Sequence, residues 1–350
     1  MRHLTVCAAA LLMLAPAATA DFFTEIWTNY DTGYSITSVG FSPVDNCVPI
    51  GESHTADPLT THCFSKVDGV ALPPVPPKLP TGGLVSPWLG FFGGIQGSAN
   101  GKYFGNMSQN GAGPDGVPGT PDDIGGLAIW PSLTGTPTQV MFNGSFSRNI
   151  FVVGDRIYST GAADGGPIEV LEPDGDGNYQ VIYSTSGNPG GKADVAAKQD
   201  GSIMWGLEGL GTAAQNFVHQ WSYDAGSDSY VFDGDIDYVG LGIGRSVGLG
   251  YDEDDGILFL LDFDNNMIHG VGLGDPAVVG DEVLFGSWQA QADLWYYGGV
   301  RVDGAANELY WGARNAVNTS SGDFGKLSYV PEPSALGLLI LGGLALLRRR

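Results

Sequence analysis

Positive charge is what this sequence lacks most. Lysine and arginine number 15 against 38 aspartates and glutamates in 350 residues, a formal net charge of −23. Four of the 15, Arg2, Arg348, Arg349 and Arg350, lie at the extreme ends. The remaining 11 cannot counter a phosphate backbone, so nucleic acid is excluded as a partner. The same acidic surface repels anionic lipid, keeps the chain soluble and offers many carboxylates to divalent cations. Catalytic and cofactor signatures are missing too: there is no HExxH, no P-loop and no cysteine and histidine set at zinc spacing. Charged residues make up only 15% of the chain, which argues against helices. In their place stand 55 glycines and 11% aromatics, the composition of short strands joined by many tight turns. Hydrophobic content of 43% is ample for a large core and excludes disorder.

Both ends read as addresses rather than as fold. Arg2 and His3 precede an apolar stretch from Leu4 to Leu14, and Ala18-Thr19-Ala20 is a small-x-small site. This is the pattern of a secretory signal peptide over residues 1–20, cut before Asp21. Cys7 lies inside the apolar stretch behind the bulky Val6, so it belongs to the removed peptide rather than to a lipoprotein site. At the other end Val330-Pro331-Glu332-Pro333-Ser334 is followed by an apolar run from Ala335 to Leu347 and then by three arginines. As a helix that run would reach roughly 20 Å against a hydrocarbon core of about 30 Å, short for a permanent span. The arginines favour the cytoplasmic side, leaving the body outside the inner membrane, and Pro331 and Pro333 keep the motif extended. Residues 330–350 resemble the PEP-CTERM sorting signal of Gram-negative bacteria. The resemblance implies that Val330, Pro331, Glu332 and Pro333 are recognised by a membrane enzyme, exosortase. It also implies a precursor held transiently in the inner membrane and a final place at the cell surface or in the extracellular matrix.

Export puts Cys47 and Cys63 in an oxidising compartment, where they are expected to pair. Such a bridge would contribute about 3 kcal/mol in the chain-entropy picture. A metal site shared with His54 and His62 has suitable ligand types but no recognisable spacing.

The body, residues 21–329, carries a degenerate repeat. Val247-Gly248-Leu249-Gly250-Tyr251-Asp252, a turn, and Ile257-Leu258-Phe259 match Gly299-Val300-Arg301-Val302-Asp303, a turn, and Glu308-Leu309-Tyr310-Trp311. Each is a strand, a turn and a second strand, as a hairpin requires. Looser hairpins surround Asn100-Gly101, Gly154-Asp155 and Asp200-Gly201. Second strands then start near Tyr103, Ile157, Ile203, Leu258 and Leu309, about fifty residues apart, with a sixth candidate near Val48. Units of that length hold four short strands, the content of a propeller blade. In the unit 193–240 these are expected at Asp194 to Ala197, Ser202 to Gly206, Phe217 to Tyr223 and Ser229 to Phe232. The Tyr-Asp-x-x-x-Gly-x-Leu-Phe and Val-Asp-x-x-x-Asn-x-Leu-Tyr-Trp forms resemble blade hairpins of the YWTD and NHL six-bladed propellers. The resulting expectation is an all-β, six-bladed propeller whose last blade is completed by Phe22 to Thr28, removing open sheet edges. The proline-rich stretch Ala71 to Pro80 is expected to be an extended surface connector.

Several segments invite a chemical reading. The loop from Gly113 to Asp123 carries Asp115, Asp122 and Asp123 among glycines and resembles exported calcium-binding loops, whose hard oxygen donors suit the ion. Calcium is the one cofactor the residues point to. Asp174-Gly175-Asp176-Gly177-Asn178 begins like an EF-hand, but Tyr179 and Thr185 occupy the required glycine and glutamate positions, which leaves a hairpin turn. Gly244-Arg245-Ser246-Val247-Gly248 spells G-x-S-x-G, yet a strand follows where the nucleophile elbow needs a helix. His219 and His269 read as strand residues. Trp205, Trp221, Trp288, Trp295 and Trp311 read as packing between blades, with a sugar-stacking role open for one or two. Among 38 acids, any carboxylate pair chosen for glycoside hydrolysis is uninformative. The reading is therefore an exported, non-enzymatic binding or structural propeller associated with exopolysaccharide. The alternative is a carbohydrate-active enzyme on the same scaffold, marked by two carboxylates and an aromatic wall at one mouth of the central channel.

Overall fold

The computed structural model describes residues 21–52, 60–73, 75–77, 95–108, 125–133, 135, 138–141, 149–160, 167–176, 179–185, 192–208, 217–291, 295–318 and 320–330. Strand β1 (Phe23–Asn29) is held over for the last blade. Blade one contains β2 (Ile36–Val39), β3 (Val48–Glu52) and β5 (Cys63–Phe64), while β4 (Thr60–Thr61) pairs with β6 (Val75–Pro77). Blade two is β7 (Ile95–Gly97), β8 (Tyr103–Ser108), β9 (Gly125–Trp130) and β10 (Thr138–Met141). Blade three is β11 (Ile150–Val153), β12 (Arg156–Thr160), β13 (Ile168–Pro173) and β14 (Tyr179–Ser184). Blade four is β15 (Lys192–Ala197), β16 (Ile203–Glu208), β17 (Phe217–Asp224) and β18 (Ser229–Asp237). Blade five is β19 (Ser246–Asp252), β20 (Ile257–Asp262), β21 (Met267–Gly272) and β22 (Val283–Gln289). Blade six is β23 (Trp295–Asp303), β24 (Glu308–Asn315) and β25 (Gly322–Tyr329), with β1 as its fourth strand, Phe23 opposite Tyr329 and Asn29 opposite Phe324. The protein is an all-β, six-bladed propeller with β2, β7, β11, β15, β19 and β23 innermost.

Turn chemistry sets the hairpins. Asp200 accepts from Ser202 N (2.8 Å), Asp224 from Gly226 N (2.9 Å) and Asp252 from Asp254 N (3.0 Å), so each carboxylate mimics a backbone turn and reverses the chain. The strands between them serve two junctions at once, because successive side chains point to opposite faces. In β20, Ile257, Phe259 and Leu261 pack against Trp295, Leu309 and Trp311 of blade six. Their neighbours Leu258 and Leu260 pack with Trp205, Val218 and Ile236 of blade four. This explains why the repeat reads as a continuous apolar run rather than as an alternation. Where inner strands converge, backbone meets backbone: a Cβ on Gly248 would lie 2.8 Å from Gly299 Cα, so position 248 does not tolerate a side chain.

Polar ties join neighbouring blades at their turns. Tyr103 donates to Asp45 (2.8 Å), Lys102 to Asp155 (3.1 Å), Gln199 N to Glu253 (2.6 Å), Tyr329 to Asp252 (2.6 Å) and Lys326 to Lys66 O (3.1 Å). At the axis, buried Arg301 of β23 reaches across the ring to Asp194 of β15 and to the carbonyl oxygens of Ile150 on β11 and Leu249 on β19. Four consecutive inner strands therefore meet on one guanidinium.

The structure extends some expected elements. β18 runs to Asp237 rather than stopping at Phe232, because Gly234 opens a register shift that lets pairing with β17 resume. Part of the proline-rich stretch, Val75–Pro77, pairs as a strand. Cys47 and Cys63 are bridged, their Cα atoms 5.6 Å apart, which staples the two-residue β5 to the start of β3.

Candidate functional site

Between blades three and four the propeller opens into a cleft of about 410 Å³ lined by Val153, Asp155, Arg156, Tyr158, Glu172, Pro173, Gln199 and Asp200. Strand periodicity places Arg156 and Tyr158 on one face of β12. Arg156 lies one step beyond the Ile157 and Leu171 pair, which brings it against Glu172 on β13. Its Nε donates to Glu172 Oε1 at 2.7 Å, and Nη2 pairs with the same oxygen. Burial lowers the Arg156 pKa, but the contacts with Tyr158 and Glu172 outweigh it, so the guanidinium stays charged. Two acids face the cleft from either side. Burial raises Asp155, yet hydrogen bonds from Asn100 and Lys102 hold it below the usual carboxylate range. Asp200 is held down by Ser202, whose hydroxyl and N–H both bond to it. Gly201, next to Asp200, sits at φ +72°, a conformation that favours glycine, and its bare Cα leaves room for Arg156 Nη1 and Tyr158 Oη.

From the cleft a row of tyrosines continues outward along the same seam. Tyr158 and Tyr230 hydroxyls lie 3.3 Å apart, and Tyr230 donates to Gly201 O at 2.7 Å. The Tyr183, Tyr223 and Tyr230 rings meet edge to face with centroids 5.5 to 5.6 Å apart. Tyr183 and Tyr223 both donate to Asp228 Oδ1, at 2.7 and 2.5 Å. Those bonds lower the Asp228 carboxyl and, with the Tyr223 contact first, raise the Tyr183 phenol, so this end carries neutral phenols around a fixed carboxylate. Aromatic faces beside converging charged and hydroxyl groups form a surface suited to a polar, ring-shaped ligand.

The sequence-derived sites are placed unevenly. Cys47 and Cys63 form the expected bridge. Val330 follows β25 and is exposed, while Pro331, Glu332 and Pro333 lie outside the described residues, as do residues 1–20 and the calcium candidates Asp115, Asp122 and Asp123. Among the described residues, no group of three or more histidines, cysteines and acids is arranged to hold a metal. His62 packs against Tyr34 in a tilted arrangement with ring centroids 4.4 Å apart. Ser246 sits on the buried inner strand β19, in agreement with the dismissal of a nucleophile elbow. His219 and His269 stand on β17 and β21, each against an aspartate the sequence did not connect to it, Asp235 and Asp262. Trp205, Trp221, Trp295 and Trp311 are buried in the clusters between blades, and Trp288 packs against one of them. The tyrosine seam was not foreseen.

Solved structures share this fold. A 6-phosphogluconolactonase-like protein from Bacteroides uniformis ATCC 8492 superposes with a TM-score of 0.52 over 85% of this chain and 79% of its own, at 11% identity. A luciferin-regenerating enzyme superposes with a TM-score of 0.55 over 87% of this chain and 95% of its own, also at 11% identity. At that identity the likeness is one of architecture. No family model and no curated protein matches the sequence.

Proposed function

We propose that this is an exported propeller, trimmed at both ends by signal peptidase and an exosortase-type enzyme, that binds polysaccharide at the cell surface or in the extracellular matrix. One observation carries the reading. Val330 N donates to Phe22 O at 3.0 Å, so the residues that follow the expected signal cleavage and those that precede Pro331 leave the ring at the same point. Removing both addresses would take nothing from the blades. The inner membrane then holds only the precursor, through the apolar run from Ala335 to Leu347.

Binding is assigned to the seam between blades three and four. A glycan presents alternating apolar ring faces and hydroxyls, which exposed Tyr223, half-buried Tyr183 and Tyr230 and the charged groups of the cleft complement. Asp155 and Asp200 are both held as carboxylates. They favour accepting hydroxyl hydrogen bonds over donating the proton that glycoside cleavage needs. A neutral or cationic polymer suits these acids better than a polyanionic one.

Affinity electrophoresis of the trimmed propeller through gels containing the exopolysaccharide of the producing bacterium tests this. Wild type should be retarded, and the Tyr183→Ala, Tyr223→Ala variant should bind about tenfold more weakly, a loss of about 1.4 kcal/mol. Equal mobility of wild type with and without polysaccharide, or equal retardation of both proteins, would reject the seam as the binding site.

A further inference from the structure

Across the outer strands of blade five, Asp262, His269 and Ser287 form a hydrogen-bonded chain. His269 Nε2 lies 3.2 Å from Asp262 Oδ2, and His269 Nδ1 lies 2.7 Å from Ser287 Oγ. Asp262 and His269 are buried, whereas Ser287 is exposed on the outermost strand. Asp262 is locked in place by Gly244 N (2.8 Å), Asn265 N (3.0 Å) and Asn265 Nδ2 (2.8 Å). Burial raises its pKa, but the bonds from His269, Asn265 and Gly244 outweigh that and keep it ionised. A carboxylate only accepts hydrogen bonds, so neutral His269 directs its Nε2 proton to Asp262 and leaves Nδ1 as an acceptor for the Ser287 hydroxyl. The tautomer that makes His269 a base toward Ser287 is thus fixed by Asp262.

The ladder supplies a further element. Ala290 N donates to Asn266 O (3.0 Å), which makes 266 and 290 a hydrogen-bonded pair. Hydrogen-bonded and non-bonded pairs alternate along antiparallel strands. Counting back along the register, His269 opposite Ser287 is a non-bonded pair. That brings the two side chains close and turns the Ser287 N–H away from β21, toward the side of β22 on which no described strand pairs. A group attached to Ser287 Oγ therefore has that N–H within reach of its carbonyl oxygen.

We propose that this constellation hydrolyses carboxylic esters, with Ser287 as nucleophile, His269 as general base and Asp262 as positioning residue. It adds an activity at a place separate from the seam and does not rest on the binding reading. The Ser287 Oγ to acyl carbon bond forms as the hydroxyl proton passes to His269 Nδ1. The bond from acyl carbon to alcohol oxygen then breaks as the proton is returned to the departing alcohol. Water attacks the acyl-serine, gives its proton to Nδ1, and the acid leaves as Ser287 recovers that proton. The balance needs water alone. Among the described residues Ser287 stands on an unpaired edge, preceded by Gly286, and these surroundings favour a short acyl group such as acetyl.

The test treats the trimmed propeller with a fluorophosphonate probe, maps any adduct by mass spectrometry, and follows p-nitrophenyl acetate hydrolysis. One adduct on Ser287 is expected, with a burst of one equivalent of nitrophenol. Ser287→Ala, an exposed edge position, should keep the wild-type Tm and lose both signals. Asp262→Asn should slow labelling by about a hundredfold or more, because His269 then loses its enforced tautomer. No adduct at Ser287, or Ser287→Ala cleaving the ester at the wild-type rate, would overturn the proposal and leave the chain as a tie between strands.

Discussion

Arg301 on the inner strand of blade six and Asp194 on the inner strand of blade four meet side by side at the centre of the ring. Nη1 lies 3.1 Å from Oδ2 and Nη2 3.2 Å from Oδ1, with both side chains out of contact with solvent. Asp194 also accepts from Leu249 N and Val195 N, so blade five is drawn into the same contact. Breaking one half of a buried pair leaves the other charge uncompensated, at about 3–5 kcal/mol. Asp194→Ala should destabilise by that amount in urea denaturation, and Asp194→Ala combined with Arg301→Met should recover part of the loss. If the double variant is as unstable as the two single losses added together, the pair is not the coupled unit described.

The bridge between Cys47 and Cys63 closes a loop with a sequence separation of 16. It holds β5, which contributes two paired residues to blade one. Reduction should lower stability by about 3 kcal/mol by the loop-closure argument. Denaturation in the presence and absence of reductant measures the difference, and coincident curves would show that blade one holds itself.

Much of the fold was legible because each hairpin is local. The turn residues Asp200, Asp224 and Asp252 and the apolar runs beside them lie within a dozen positions, and the starts of β8, β12, β16, β20 and β24 fall at or within one residue of the expected ones. Closure by β1 was legible too, since blade six was one strand short in the sequence. The cleft, the Ser287 chain and the axial ion pair were not. They join residues that no period relates: Tyr158 to Tyr230 across 72 positions, Ser287 to His269 across 18, and Asp194 to Arg301 across 107. A histidine inside an apolar strand carries no sequence mark of the aspartate beside it. Arg301 stood in the sequence only as one letter of a repeat strand, and its partners appear once the ring brings β11, β15 and β19 to it.

Removing β1 should open blade six. Phe22 and Phe23 fill the cluster between blades five and six, and Phe23–Asn29 covers the edge of β25. An uncovered, apolar edge strand invites pairing with other chains. A variant lacking residues 22–29 should aggregate in light scattering, whereas a monomer with unchanged Tm would contradict closure by this strand.

Acid should weaken blade five through Asp262. Its folded pKa lies below its unfolded value, near 3.9 for aspartate, because the bonds from His269, Asn265 and Gly244 outweigh burial. The stability it contributes is complete above that value and is lost as pH falls through the folded pKa. The stability gap between wild type and Asp262→Asn should be widest near neutral pH and close toward pH 2. Its nearest ionisable neighbours, His269 and the Arg245 and Asp264 pair, remain in both proteins. A gap that does not change with pH would show that Asp262 gains nothing from its ionised form.

Intact mass of the protein released by the cell tests the central claim most directly, that both addresses are removed from a ring closed between Phe22 and Val330. The account predicts a chain that begins at Asp21 and ends in the neighbourhood of Pro331 to Pro333. A released or surface-held protein whose mass still includes Arg348, Arg349 and Arg350 would contradict it.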